Sequence, residues 1–186
     1  MKNMKKVIAT MLVLILAVSL STACGGNKTG RLKKVDVKPS ELISLEDAEN
    51  ILEMSMKVIE GYLDKTEQDG FLLTEYISSG EEWTSLQIRI KQDASSLIET
   101  TKETCKNNAD AVTVEEIGDW ACITGTSDGM AKFLYIAYGD YYYIEIDLSG
   151  NVDNGGRSLE EDATWKLEKI TEIGKLAVGR LEDMVK

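Results

Sequence analysis

Hydrophobic residues along this chain fall into three patterns, and each predicts a different kind of element. The first is an almost unbroken apolar run from Val7 to Leu20, interrupted mainly by Thr10 and Ser19. The second is helical spacing. Leu45, Ala48, Ile51, Leu52, Met56 and Ile59 predict a helix from Ser44 to about Leu63, opened by Ser44 with Glu46 and Asp47 complementing the dipole. Ala94, Leu97, Ile98, Thr101 and Cys105 share one stripe of a second helix beginning near Asp93. Ala163, Leu167, Ile170, Ile173, Gly174, Ala177 and Leu181 form the stripe of a last one, with Ser158 and Glu161 as its capping box. Gly174 lowers helix propensity, which marks close packing against a sheet.

The third pattern is alternation. Phe71–Ile77 and Trp83–Ile90 read as strands around the turn Ser78-Ser79-Gly80. Leu86, Ile88 and Ile90 alternate with Ser85, Gln87 and Arg89, so one face is buried. Val112–Glu116 is extended, and Gly118-Asp119 turns into a strand at Trp120–Thr124 with Cys122 on the same face as Trp120. Lys132–Tyr138 and Tyr141–Leu148 flank Gly139-Asp140, a preferred two-residue hairpin loop. That loop predicts Tyr138 opposite Tyr141 and Ala137 opposite Tyr142. One face then carries Phe133, Tyr135, Ala137, Tyr142, Ile144 and Ile146 as core. The other carries Leu134, Ile136, Tyr138, Tyr141, Tyr143 and Glu145, with Lys132 facing Asp147 as a charge pair.

Tyr76 to Ile90 and Tyr135 to Ile146 repeat one plan, strand, turn and strand followed by a helix. The expectation is an α+β domain: an antiparallel sheet of about five strands with three helices mainly on one face, in the order α-β-β-α-β-β-β-α. Residues 1–23 read as a signal peptide, 24–40 as a lipidated tether, and 41–186 as one domain large enough for a real core.

The first pattern sets an address. Lys2, Lys5 and Lys6 precede the apolar run, which is shorter than the roughly 20 residues a membrane-spanning helix needs. Leu20-Ser21-Thr22-Ala23-Cys24 resembles the lipobox of bacterial lipoproteins, although Ser21 stands where that family prefers an aliphatic residue. The resemblance implies cleavage before Cys24, a diacylglycerol and palmitate-type chains on its sulfur, and a protein held on the extracytoplasmic face of the cell membrane. Several acyl chains anchor far better than one. Gly25-Gly26-Asn27-Lys28-Thr29-Gly30 reads as a flexible linker.

Val114 to Trp120, the Tyr138-Gly139-Asp140-Tyr141 hairpin and the A-x-x-R-L of Ala177 to Leu181 are similar to the C-terminal half of small Gram-positive lipoproteins of unknown function. Their domains are similar to PsbP-type or TBP-like α+β folds, so this likeness implies a fold class and no activity.

Charge and chemistry narrow the picture further. Residues 1–23 hold three positive charges and no negative one, so their removal takes the net charge from −11 to −14. Nucleic acid is not an expected partner, because phosphates demand a basic face. Histidine is absent, which excludes Ser-His-Asp and Cys-His catalysis and histidine zinc sites. Cys105 and Cys122 can pair outside the cytoplasm or stay as two buried thiols; the sequence leaves both open. The alternating oxygens of Asp147, Ser149, Asn151 and Asp153 lack the glycine and glutamate of a calcium loop, and read as a polar connection. Glu81-Glu82, Glu115-Glu116 and Glu160-Glu161-Asp162 sit beside turns and helix starts, where solvation and capping explain them. No catalytic residue, metal or cofactor is assigned.

Tyr138, Tyr141 and Tyr143, joined by Trp83 on the neighbouring hairpin, are the candidate binding surface, since tyrosine combines apolar area with a hydroxyl. The functional expectation is a membrane-anchored, non-enzymatic module that recognises a small ligand or an envelope protein. A carboxylate-dependent cell-wall hydrolase and a passive structural lipoprotein are the alternatives.

Overall fold

A computed structural model describes residues 32–80, 83–150 and 157–186. The expected signal peptide, Cys24 and the expected linker up to residue 31 lie outside these, as do Glu81, Glu82, Asn151 and Asp153. The elements run α1 (Pro39–Leu42), α2 (Leu45–Leu52), β1 (Met56–Val58), β2 (Lys65–Thr66), β3 (Leu72–Ser78) and β4 (Thr84–Gln92). They continue with α3 (Ser95–Asn107), β5 (Val112–Val114), β6 (Trp120–Gly125), β7 (Ala131–Tyr138), β8 (Tyr142–Gly150) and α4 (Leu159–Val185). The class is α+β with one antiparallel sheet, ordered β1-β3-β4-β8-β7-β6-β5 with β2 beside β3. It has eight strands where the pattern predicted about five, and the described residues hold four helices in place of three.

Most of the difference lies before Leu72. The first long helix stops at Leu52, where Glu53 turns left-handed at φ 58° and its N–H closes on the Glu49 carbonyl. Met56 and Ile59 fit helical spacing, yet Met56–Val58 pairs with Tyr76–Ser78 as an edge strand. Periodicity over so short a stretch suits either element. The open hydrogen-bonding edge of β3 decides it. α1 was not foreseen at all; Pro39 opens it and Leu42 buries its face.

The main core lies between one sheet face and α1, α2 and α4. Leu86, Ile88 and Ile90 of β4, Ile144, Ile146 and Leu148 of β8, and Leu134 and Ile136 of β7 are all nearly inaccessible. Over them lie Leu42, Leu52, Ile170, Ile173, Ala177 and Leu181. The Tyr76 hydroxyl donates to the Ile43 carbonyl at 2.7 Å, and Arg180 of α4 donates to the Leu42 carbonyl and both Asp47 oxygens. Ser44 caps α2 and Ser158 caps α4, as the sequence predicts, and the structure closes a capping box at both.

The stripe of α4 departs from expectation at its start. Leu167 is exposed and Ala163 half-buried, whereas Asp162 and Lys166 point inward with 1 % exposure each. Counting back from Ile170 in steps of four lands on Lys166 and Asp162, so the face that Ile170, Ile173 and Ala177 impose carries this charged pair inward. The Lys166 ammonium donates to Asp162 at 2.5 Å and to the Gly129 and Gly150 carbonyls at 3.1 and 3.3 Å. About two turns later Gly174 packs directly against Leu134 and Ile117, the close approach its presence in a helix predicted.

The β7–β8 hairpin corrects the expected register. Tyr138 pairs with Tyr142, not Tyr141, so the loop is Gly139-Asp140-Tyr141. Lys132 faces Leu148 instead of Asp147. A slip of one residue changes which side chains share a face. The observed register places Leu134, Ile136, Ile144, Ile146 and Leu148 together in the core; the two-residue loop would have split them. Gly139 takes φ 63°, and its N–H donates to the Asp119 carboxylate at 2.6 Å.

Candidate functional site

The second sheet face carries the polar chemistry, and the register arranges it in rows. One row across β3, β4, β8, β7 and β6 reads Glu75, Gln87, Asp147, Phe133, Thr124. The next reads Leu73, Arg89, Glu145, Tyr135, Cys122, and a third places Lys91, Tyr143, Ala137 and Trp120 side by side. Helix α3 packs on β6 and β8 and covers the third row. Ala94 and Ile98 pack there with Phe71, Ala137 and Tyr143 as a small core separate from the main one.

The middle of the first two rows forms a shallow groove of about 190 Å³ lined by Gln87, Arg89, Phe133, Tyr135, Glu145 and Asp147. A chain of hydrogen bonds fixes one side of it. Thr101 of α3 donates to the Tyr143 hydroxyl at 3.1 Å, and that hydroxyl donates to Glu145 Oε1 at 3.1 Å. Arg89 Nη1 donates to Glu145 Oε2, while Nε and Nη2 reach Glu67 and Asp69 at 2.7 and 3.1 Å. The guanidinium lies 4.1 Å from the Phe71 ring centre. Arg89 is therefore saturated by three carboxylates. Burial, joined by the nearby Glu145 charge, drives the Tyr143 phenol far above its usual range, so its proton stays in place as a donor.

Asp147 and Glu75 differ from Glu145. Among the described residues neither takes part in an ion pair; Asp147 accepts from the Ser149 hydroxyl at 2.5 Å and Glu75 from Ser85 at 3.0 Å. Burial pushes the Asp147 carboxyl above the ordinary range. The Ser149 bond pulls the other way, and the charges of Glu75 and Glu145 add to the rise. A folded-state value above the unfolded one means that the folded protein binds the extra proton. This group therefore favours folding at low pH, and that contribution is lost as pH climbs through its folded value. Asp147→Asn is expected to raise Tm by a few degrees at pH 7 and by less at pH 3.5. Thermal melts at the two pH values check it; equal shifts would refute the coupling.

The tyrosines do not form the expected surface. Tyr138 lies on the core face, 8 % exposed, and Tyr143 lies on the opposite face beneath α3. Tyr141 sits in the hairpin loop, edge-on to Tyr142 at 4.9 Å between ring centres, with the Lys34 ammonium 4.2 Å over it. Trp83 is 45 % exposed, but Thr84 pairs with Gly150 while Gln92 pairs with Tyr142, so it stands at the far end of β4. Eight residues of strand separate the two ends, roughly 26 Å. The register slip is the reason for the split between Tyr138 and Tyr143.

Cys105 and Cys122 are both buried free thiols, and burial, with Cys105 nearby, pushes the Cys122 thiol up to about 12. Glu115, Glu116, Glu160 and Glu161 are exposed, as solvation and capping predict, whereas Asp162 is the buried partner of Lys166. The sequence places Arg89 on the polar side of its strand, Glu145 on the tyrosine-bearing face and Asp147 opposite Lys132, none of them as a site. Their signal was present in the spacing of Glu145 and Asp147, but only pairing brings β4 beside β8. Comparisons with models of known protein families, with curated proteins and with solved structures find no match.

Proposed function

We propose that this chain is a lipid-anchored, extracytoplasmic binding module whose sheet groove takes a small polar ligand bearing a cationic group. The observation that carries the reading is the uncovered half of the second sheet face. There Asp147 stands without an ion-pair partner among the described residues, in a groove shared with the rings of Phe133 and Tyr135, and Glu75, likewise unpaired, lies two strands away in the same row. Carboxylates and aromatic faces together attract ammonium groups, and a groove this small suits a ligand of a few heavy atoms better than a folded partner. The lipobox-like segment ending at Cys24 supports the address. Tyr142 supports a defined entry of the chain into the domain, its hydroxyl receiving the Val35 N–H at 2.9 Å near the Lys33 and Val35 carbonyls.

Calorimetric titration of the full chain in detergent with spermidine, choline and glucosamine tests the groove. At least one is expected to bind, and Glu75→Gln with Asp147→Asn is expected to weaken it at least tenfold, the equivalent of about 1.4 kcal/mol. Binding unchanged in that double variant, or no binding of any of the three, refutes the site and leaves the passive structural role. The address is tested separately. Cys24→Ser is expected to abolish labelling by an alkyne-tagged palmitate and to release the protein from membranes.

One observation favours a second reading, a carboxylate-dependent hydrolase of cell-wall glycans. Asp147, with its raised pKa, shares the groove with Glu145, two residues away on the same strand face. Environments that separate paired carboxyl groups suit acid–base work. Release of soluble saccharide from purified cell wall, abolished in Asp147→Asn, would move the assignment to this reading.

A further inference from the structure

We infer that the strap formed by residues 32–37, together with the β7–β8 loop, is a membrane-facing surface. It rests on anionic phospholipid headgroups and stands the domain end-on to the bilayer. This surface depends on the lipid-anchored reading. Leu32 packs against Gly139, and the Lys33 N–H donates to the Val185 carbonyl at 3.1 Å. The Val35 N–H donates to the Tyr142 hydroxyl at 2.9 Å, and Val37 is fully buried. Those contacts pin the strap to one end of the fold, where β8 begins and α4 finishes. Residues 25–31 separate it from Cys24, and a stretch of that length spans at most about 25 Å. This end therefore stays beside the bilayer, while α4, 27 residues long, runs away from it for about 40 Å.

Charge is divided along the same direction. Residues 24–38 hold Lys28, Arg31, Lys33, Lys34 and Lys38 against Asp36, a net +4, while residues 39–186 hold −18. Lys33 and Lys34 are exposed, and the Lys34 ammonium lies 4.2 Å over the Tyr141 ring in the loop. Tyrosine rings and lysine ammonium groups both settle at headgroup level. Acids share this end. Asp36, Asp140 and Asp183 are exposed, the Asp119 carboxylate accepts the Gly139 N–H, and Glu182 is engaged by Lys186 at 3.1 Å. They weaken the attraction but do not reverse the asymmetry, because the tether holds the strap closest to the lipid.

An anionic surface draws in the strap and repels the acidic remainder, within about 8–10 Å at physiological salt. Lying on its side would bring the acidic body inside that distance; standing end-on keeps it out. β8 shares the axis, starting at Tyr142 and ending at Gly150. Glu145 and Asp147 stand roughly 10–17 Å up the strand from Tyr142. The groove then opens sideways, a short way above the headgroups.

The test places a fluorophore at either end of α4. Asp183→Cys and Glu160→Cys each remove one exposed carboxylate, and the two positions lie about 35 Å apart along the helix. Cys105 and Cys122 are buried, which directs labelling to the new thiol. The full chain, extracted from membranes in detergent, is labelled and reconstituted into vesicles of phosphatidylcholine and phosphatidylglycerol. Energy transfer to an acceptor lipid gives the height of each site. Position 183 is expected roughly 20–30 Å closer to the surface than position 160. That difference should at least halve in Lys33→Glu with Lys34→Glu, and in vesicles of phosphatidylcholine alone. Equal heights in the mixed vesicles, or a difference that the double variant leaves unchanged, overturn the surface. Intact mass of the same preparation separates the two ideas. Equal heights in an acylated chain overturn the surface alone, whereas a chain without acyl groups that stays off the vesicles overturns the address and the surface together.

Discussion

Lys166→Ala is expected to destabilise the domain by about 3–5 kcal/mol, the usual consequence of leaving one member of a buried ion pair behind. Asp162 is as deeply buried as Lys166, and the Gly129 and Gly150 carbonyls would lose a charged donor in the same step. Arg157, whose Nε lies 3.6 Å from Asp162 Oδ1, is a poor replacement because its guanidinium stacks 4.4 Å from the Trp165 ring centre. Tm should fall by roughly 6–20 °C for a domain of this size. The double variant Asp162→Leu with Lys166→Met removes both charges and should recover part of the loss, since an apolar pair of similar volume can replace a buried ion pair. Recovery stays partial because two carbonyls keep no donor. Urea melts of the two variants decide the matter, and a Lys166→Ala loss below about 1 kcal/mol would mean that water enters the site freely.

The second large effect is at Gly118. It sits at φ 64° between Ile117 and Asp119, and a methyl group there would stand 2.6 Å from the Ala137 carbonyl oxygen. That carbonyl already accepts from the Asp119 N–H at 2.9 Å, which locks the approach of this turn to β7. Gly118→Ala is expected to cost about 2–5 kcal/mol, combining the left-handed penalty of an L-residue with overpacking against backbone that cannot retreat. Gly129, at φ 75° with open space around it, is the control. Alanine there should cost only the conformational part, about 1–2 kcal/mol. Chemical denaturation of both variants separates strain from collision; equal losses would show that the contact with Ala137 is harmless.

Much of the fold was legible where the local pattern was long. The capping residues Ser44 and Ser158 mark true helix starts, and β3, β4, β6, β7 and β8 lie within two residues of their predicted ends. Gly174 was legible too, because a glycine inside a strong helical stripe has few explanations other than close packing. Legibility failed where segments were short. Met56–Val58 has too few residues to distinguish a helix face from an edge strand, and Lys65–Thr66 is too short to show alternation at all. The charged start of the α4 stripe was missed for another reason: apolar residues were counted as inward, although Asp162 and Lys166 at a spacing of four could satisfy each other in the core.

The candidate site shows the same division more sharply. Composition alone removed histidine chemistry, and alternation alone placed Arg89 on the polar side of its strand. Local pattern is a property of neighbours along the chain, so it determines which residues belong to one strand face. It carries no information about which strands become neighbours. Register is decided by the combined burial of Leu134, Ile136, Ile144, Ile146 and Leu148, and a shift of one residue there moves Tyr138 and Tyr143 to opposite faces. The pairing of β4 with β8, and the small reach of α3 across the sheet, then create the groove. Those are contacts between residues far apart in sequence, 56 positions for Arg89 and Glu145 and 42 for Thr101 and Tyr143, whose energies appear only once the chain is folded.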